Sequence, residues 1–271
     1  MVNGALPSKG LVAVMKKRFR SFYLLVSSVF IAILHLPLVF AKSATGSKLF
    51  YSPVTHSSPK NPADSLQGTY FVRSVYDSLR LSLKGLSQEA FDYAKKGFDK
   101  LAEEGRLIND SIISIVDFSR PSSEKRLFII DMKNYKILFN TLVSHGRNSG
   151  REMAAYFSNQ NTSFMSSPGF YITRETYEGK NGYSLKLEGV EYGINHNAYE
   201  RGIVVHGAGY VSDAFVQAQG YIGRSQGCPA VPVQYSRPVI NTIKNGSCLF
   251  IYHPSYVRRS SLLNQIVHNS S

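Results

Sequence analysis

Apolar positions along the chain change period near residue 110. Ser87–Gly105 carries Ala90, Phe91, Ala94, Phe98, Leu101 and Ala102 close to helical spacing. Ser87 is placed to cap that helix, Leu86 and Phe91 fit a hydrophobic staple, and Gly105 ends it. Tyr70–Leu83 predicts a shorter helix. From Ile112 onward the runs are short and rich in Ile, Val, Phe and Tyr, with Gly, Asn, Ser and Pro between them. Ile112–Phe118, Arg126–Asp131, Lys136–Ser144, Gly169–Thr173, Tyr183–Leu187, Gly202–His206 and Cys248–Tyr252 predict strands. Asp213–Gln219 and Gln234–Asn245 predict short helices between the late strands. The pattern describes an α+β chain, a mostly β domain preceded by a small helical region.

The flanks read differently. Lys16, Lys17, Arg18 and Arg20 precede an apolar stretch from Phe22 to Ala41, the layout of an export signal. The stretch is long enough that an uncleaved N-terminal anchor in contact with the membrane is the competing reading. The translation start is open between Met1 and Met15. Residues 42–67 are rich in Ser, Pro, Thr and Asn and read as a linker. The expected organisation is a signal or anchor over 1–41, the linker over 42–67 and a helical region over 68–110. A catalytic domain follows over 111–255, with a polar tail over 256–271.

Charge narrows the partners. The chain carries a formal +13, and residues 42–271 still carry +8 once the five cations of the N-terminal segment are set aside. Such a surface suits an anionic polymer or a membrane face, or serves only solubility. Nucleic acid is disfavoured, because there is no zinc-finger spacing and no dense basic block beyond the N-terminus. Two cysteines make no disulfide framework. Cys248 opens the apolar run Cys-Leu-Phe-Ile-Tyr and reads as a buried structural thiol, with a Cys228–Cys248 bridge as the alternative.

Cys228 is the residue that points to chemistry. It lies in Gly223-Arg-Ser-Gln-Gly-Cys-Pro-Ala230, on a tight turn where Gly227 permits unusual backbone angles and Pro229 stops continuation. His206, in Val-Val-His-Gly-Ala, stands where a strand meets a glycine turn. A cysteine nucleophile needs a base and donors for the developing oxyanion. His206 supplies the base, and the amides of Gly227 and Cys228 are the expected donors. Two rival readings stay open. One is a metal site using His145, His206 and Cys228, although no His-Glu-x-x-His pattern is present. The other is a non-catalytic module that binds such an anionic polymer, with an incidental thiol.

These residues resemble the murein L,D-transpeptidase catalytic-domain (YkuD-like) family, in which a His precedes Ser/Thr-His-Gly-Cys. Here His206 is followed by 18 residues and then Ser225-Gln-Gly-Cys228. The match is nearer to the branch with Gly-Arg-Ser-x-Gly-Cys-Pro-Ala. Asp117–Ser122, Ser144–Gly150, Ser166–Tyr171 and Tyr183–Gly189 are further pieces of it. Gln226 and Pro229-Ala230 depart from the wider pattern and leave the acceptor side open. The resemblance implies a β-sandwich or barrel, no cofactor, and acyl transfer on peptidoglycan stem peptides through a Cys228 thioester. His206 would be general base and acid, oriented by the backbone carbonyl of Gly207 and rendering Cys228 a thiolate as an imidazolium. Ser225 would support the site. Arg224, Gln226, Arg147, His145, Tyr171, Tyr183 and Tyr210 are the expected substrate contacts. The outcome is a transferase, or a hydrolase of carboxypeptidase or endopeptidase type if water is the acceptor. The cell wall, periplasm or exterior would be the place of action.

Overall fold

The structure is a computed structural model and describes residues 74–264. The expected signal or anchor, the linker and the last residues of the tail lie outside the described residues. Among the described residues no helix is long and apolar enough to cross a membrane.

The chain enters through a short helix α1 (Val75–Ser78), a 3-10 turn at Ser82–Lys84 and the long helix α2 (Gln88–Glu103). Ser87 caps α2 as expected, its Oγ accepting from the Ala90 amide at 3.2 Å. The same hydroxyl donates to Asp117 at 3.1 Å, which ties the helix start to the end of the first strand.

Eight strands follow: β1 (Ile112–Asp117), β2 (Leu127–Asp131), β3 (Lys136–Thr141), β4 (Gly169–Gly179), β5 (Gly182–Gly189), β6 (Val204–Gly207), β7 (Ala230–Val231) and β8 (Cys248–Tyr252). They form one mixed sheet in the order β3-β2-β1-β8-β4-β5-β6-β7. Its two edges meet through the segments flanking β3 and β7. The Ser144 amide donates to the Ala230 carbonyl (2.8 Å), Ser225 to His145 (3.0 Å), and Arg147 to Ser225 (2.8 Å). These bonds nearly close the sheet into a barrel and supply partners that edge strands otherwise lack.

Alternation along the strands builds two cores. Ile112 and Val116 of β1, Leu127 and Ile129 of β2, and Leu249 and Ile251 of β8 face the barrel interior. Ile113, Ile115, Phe128, Ile130, Phe250 and Tyr252 face α2 on the other side. Gly97 of α2 is the point of closest approach. A Cβ there would lie 2.0 Å from the Phe170 ring, which stacks on Phe250 at 4.2 Å. The helical region therefore shares a core with the sheet. So does part of the expected polar tail, because Tyr256, Leu262 and Leu263 are buried against α2 and β8. They belong to the one-turn helices α5 (Pro254–Val257) and α6 (Ser261–Asn264). Buried Glu191 holds this segment, accepting from Ser260 Oγ at 2.5 Å and from the Tyr256 hydroxyl.

Helix α3 is Asp213–Gln219, as the pattern predicts, and α4 is Val233–Ile243. Helix α4 puts Val239, Ile240 and Ile243 into the barrel core. Among the strands, one is longer than its pattern predicts and another has no predicted counterpart. β4 runs to Gly179 rather than Thr173, because its polar outer half is held by pairing with β5 and not by burial. β7 has only two residues, too few to show a period, and exists through parallel pairing with β6. Cys228 and Cys248 are both free, and Cys248 is wholly buried in the α2-side core.

Candidate active site

Strand β6 runs beside β7 in parallel, with His206 opposite Ala230. Cys228 lies two residues before that position. The 22-residue separation in sequence is thus a step from β6 to the turn that leads into the neighbouring β7. Both residues line one cavity of about 880 Å³. His206 is 5% and Cys228 9% exposed, so each presents only a small face to it.

The carbonyl of Gly207 lies 3.0 Å from Nδ1 of His206. A carbonyl only accepts, so Nδ1 carries the proton and Nε2 keeps its lone pair. Burial pushes the His206 pKa down, and the Gly207 contact offsets part of that. Burial likewise pushes the Cys228 thiol up, partly offset by the Val204 amide, Arg201 and Lys180. Each shift favours the neutral form of its group. Desolvation of the charged forms is the main cause of both shifts. The thiol points to the Gly202 carbonyl at 3.7 Å.

The turn carrying Cys228 is braced from within and from outside. Ser225 Oγ donates to the Cys228 carbonyl at 2.6 Å and accepts from the Gly227 amide at 3.0 Å. Ser166 Oγ donates to the Gly227 carbonyl at 3.0 Å. Gly227 has φ of +121°, and a Cβ there would meet the Met165 carbonyl oxygen at 2.7 Å. Only glycine satisfies both conditions. The Gly227 amide, expected as an oxyanion donor, already points at Ser225.

Of the expected substrate contacts, Arg147, Tyr210, Arg224 and Gln226 line the cavity, together with Gly207 and Ser225. Burial raises the Tyr210 hydroxyl to about 12. Arg224 also donates to the carbonyls of Arg147 (3.2 Å) and Gly150 (3.0 Å), so it ties down the 147–150 loop.

Three expected contacts lie elsewhere. Tyr171 is fully buried with its hydroxyl on the Ser167 carbonyl at 2.7 Å. Tyr183 bonds Asn241 at 3.0 Å and packs under Arg237. His145 is buried between Arg126, 2.8 Å from its Nδ1, and the Gly150 carbonyl, 3.3 Å from its Nε2. Arg126 is itself wholly buried and bonds the carbonyls of Val143 and Arg120. His145 therefore lies apart from His206 and Cys228, and no cluster of metal-ligating side chains occurs among the described residues.

The pattern along the chain misses Arg201 and Lys180. Arg201 precedes β6, lines the cavity, and donates to Ser158 O (2.9 Å), Met165 O (2.7 Å) and Ser167 Oγ (2.6 Å). Lys180 and Asn181 form the tip of the β4–β5 hairpin and reach the cavity with Tyr177. Neither cation has a local signature that distinguishes it from a solvated surface residue.

The family described as L,D-transpeptidase catalytic domain matches residues 82–252, and the chain belongs to it. That span takes in α2 as well as the sheet. Solved structures similar to the chain include an L,D-transpeptidase from Mycobacterium smegmatis (11% identity, TM-score 0.34, 53% of this chain and 59% of that one). L,D-transpeptidase 3 from Mycobacterium tuberculosis is 10% identical, with TM-score 0.33 and coverage of 53% and 61%. A helical cell shape determining protein from Campylobacter jejuni is 11% identical, with TM-score 0.36 and coverage of 62% and 57%. The chain thus spans less than two thirds of each of these proteins. No curated protein matches it.

Proposed function

We propose that this protein is a cysteine-dependent acyltransferase acting on peptidoglycan stem peptides. The observation that carries the reading is that His206 on β6 and Cys228 on the turn leading into the neighbouring β7 line one cavity, with His206 Nδ1 held by Gly207. Nε2 takes the proton from Cys228 Sγ as sulfur attacks the carbonyl of the third stem residue. The resulting oxyanion is met by the Cys228 amide, since that of Gly227 is engaged by Ser225. The C–N bond breaks, Nε2–H gives its proton to the departing fourth residue, and a thioester remains. An acceptor amine then attacks the thioester carbonyl. Its proton passes to Nε2, the S–C bond breaks, and the thiolate regains a proton from His206.

Ser225 braces the turn. Arg224, Arg147, Gln226 and Tyr210 are the side chains we assign to stem binding, whereas His145, Tyr171 and Tyr183 support the fold. Residues 1–41 are assigned to export, as a cleaved signal or a membrane anchor. The N-terminal sequence of the mature protein separates those two.

Mass-spectrometric product analysis with tetrapeptide-stem muropeptides, run beside Cys228→Ala, tests the reaction. A Cys228-dependent dimer joined through third residues supports the transpeptidase. Tripeptide with free D-amino acid assigns water as acceptor and a carboxypeptidase activity. Unchanged substrate overturns the acyl-transfer reading in favour of a binding module.

A further inference from the structure

Every charged side chain lining the Cys228 cavity is a cation: Arg147, Lys180, Arg201 and Arg224. The carboxylates of the adjoining β4–β5 hairpin are taken by other partners. Glu175 pairs with Lys186 (2.9 Å), Glu178 with Arg237 (3.1 Å), and Glu188 with Arg174. None of the four lining cations has a carboxylate partner among the described residues. Arg201 is held rigidly by carbonyl and hydroxyl acceptors, which orient the guanidinium without neutralising it. Arg147 lies over the Phe164 ring at 4.0 Å, another contact that leaves its charge in place. Arg224 uses one guanidinium nitrogen on two loop carbonyls. Lys180 is exposed at the hairpin tip.

Like charges lining one cavity repel one another, and an anionic ligand relieves that repulsion while being drawn in by it. A neutral carboxamide of the same shape does neither. From this lining we infer that the protein selects a peptide whose carboxylates are free over one in which they are amidated. This specificity rests on the acyl-transfer reading for its place in a reaction. The binding preference itself is measurable without turnover.

The test uses full-length Cys228→Ala protein and two synthetic tetrapeptides of one sequence, one with free side-chain carboxylates and one with those groups as carboxamides. Calorimetric titration at low salt is expected to give about tenfold tighter binding of the free acid, with the gap narrowing as salt rises. Adding Lys180→Gln and Arg147→Gln, both at exposed positions, is expected to bring the two affinities within about twofold. Equal affinity at low salt, tighter binding of the amidated peptide, or no binding of either overturns the inference. Turnover by the wild-type protein is followed in parallel with both peptides. Charge discrimination without turnover of either removes the acyl-transfer reading and leaves the anion preference standing. Turnover without discrimination does the reverse.

Discussion

The hydroxyl of Ser166 lies 3.0 Å from the carbonyl of Gly227, and the amide of Gly146 donates to the same hydroxyl at 3.0 Å. One buried serine thus joins the 146–150 loop to the turn that carries Cys228. Ser166→Ala leaves a buried carbonyl and a buried amide unpaired, which costs about 1–3 kcal/mol per group. We expect a lowered melting temperature and a reduced kcat with little change in KM, because the loss is in the placing of the sulfur. A variant with wild-type melting and kcat would deny Ser166 this role.

Cys228→Ala and Cys228→Ser should abolish turnover while circular dichroism stays native, and His206→Ala should come close to the same. Carbapenem-type β-lactams, whose strained carbonyl offers the same attack, should add one adduct mass to the wild-type protein and none to Cys228→Ala. Cys248→Ala should retain both turnover and the adduct, since Cys248 faces the α2-side core. An adduct that persists in Cys228→Ala would place the nucleophile elsewhere.

The directions of the His206 and Cys228 shifts carry a pH signature. A lowered His206 pKa keeps the imidazole basic further into acid, so the acid limb of kcat/KM should fall with a midpoint below 6.5. A raised Cys228 pKa means that iodoacetamide alkylation of the free enzyme should climb with pH and have its midpoint above the usual thiol value of about 8.5. A resting thiolate–imidazolium pair would instead give rapid alkylation already near pH 6. Alkylation rates from pH 5 to 10 distinguish the two.

His145 carries a stability prediction of definite sign. Burial, and then the Arg126 guanidinium, push its pKa down to about 3. Protonation would place an Nδ1 proton against Arg126. The unfolded chain takes up that proton near pH 6.5 and the folded one does not. Stability from this site is therefore complete above pH 6.5 and is lost as pH falls toward 3, by at most about 1.4 kcal/mol per pH unit. Denaturant unfolding at pH 7 and pH 4.5 should show a smaller loss for His145→Gln than for the wild type. An equal loss in both proteins would assign the acid sensitivity to other groups.

The described part of the chain shows which features are written locally. The α2 stripe, its Ser87 cap and β1 and β8 follow from period and burial, because each segment buries one face or both regardless of what lies opposite. The polar half of β4 and the two residues of β7 carry no such period and depend on their neighbours for hydrogen bonds. Tyr171 and Tyr183 are among the expected substrate contacts. Strand alternation instead turns Tyr171 into the barrel, and an Asn241 contact holds Tyr183 outside the cavity.

By itself the sequence determined the helix-then-strand order, the glycine turn at 227 and the two residue types able to perform thiol chemistry. Those are properties of single segments. Tertiary structure alone decided that His206 stands opposite Ala230, that His145 is a partner of Arg126, and that Arg201 and Lys180 meet at the cavity of Cys228. Each of these depends on strand order and on the hydrogen bonds between 144–147 and 225–230 that nearly close the sheet. Such contacts between distant segments leave no periodic trace along the chain.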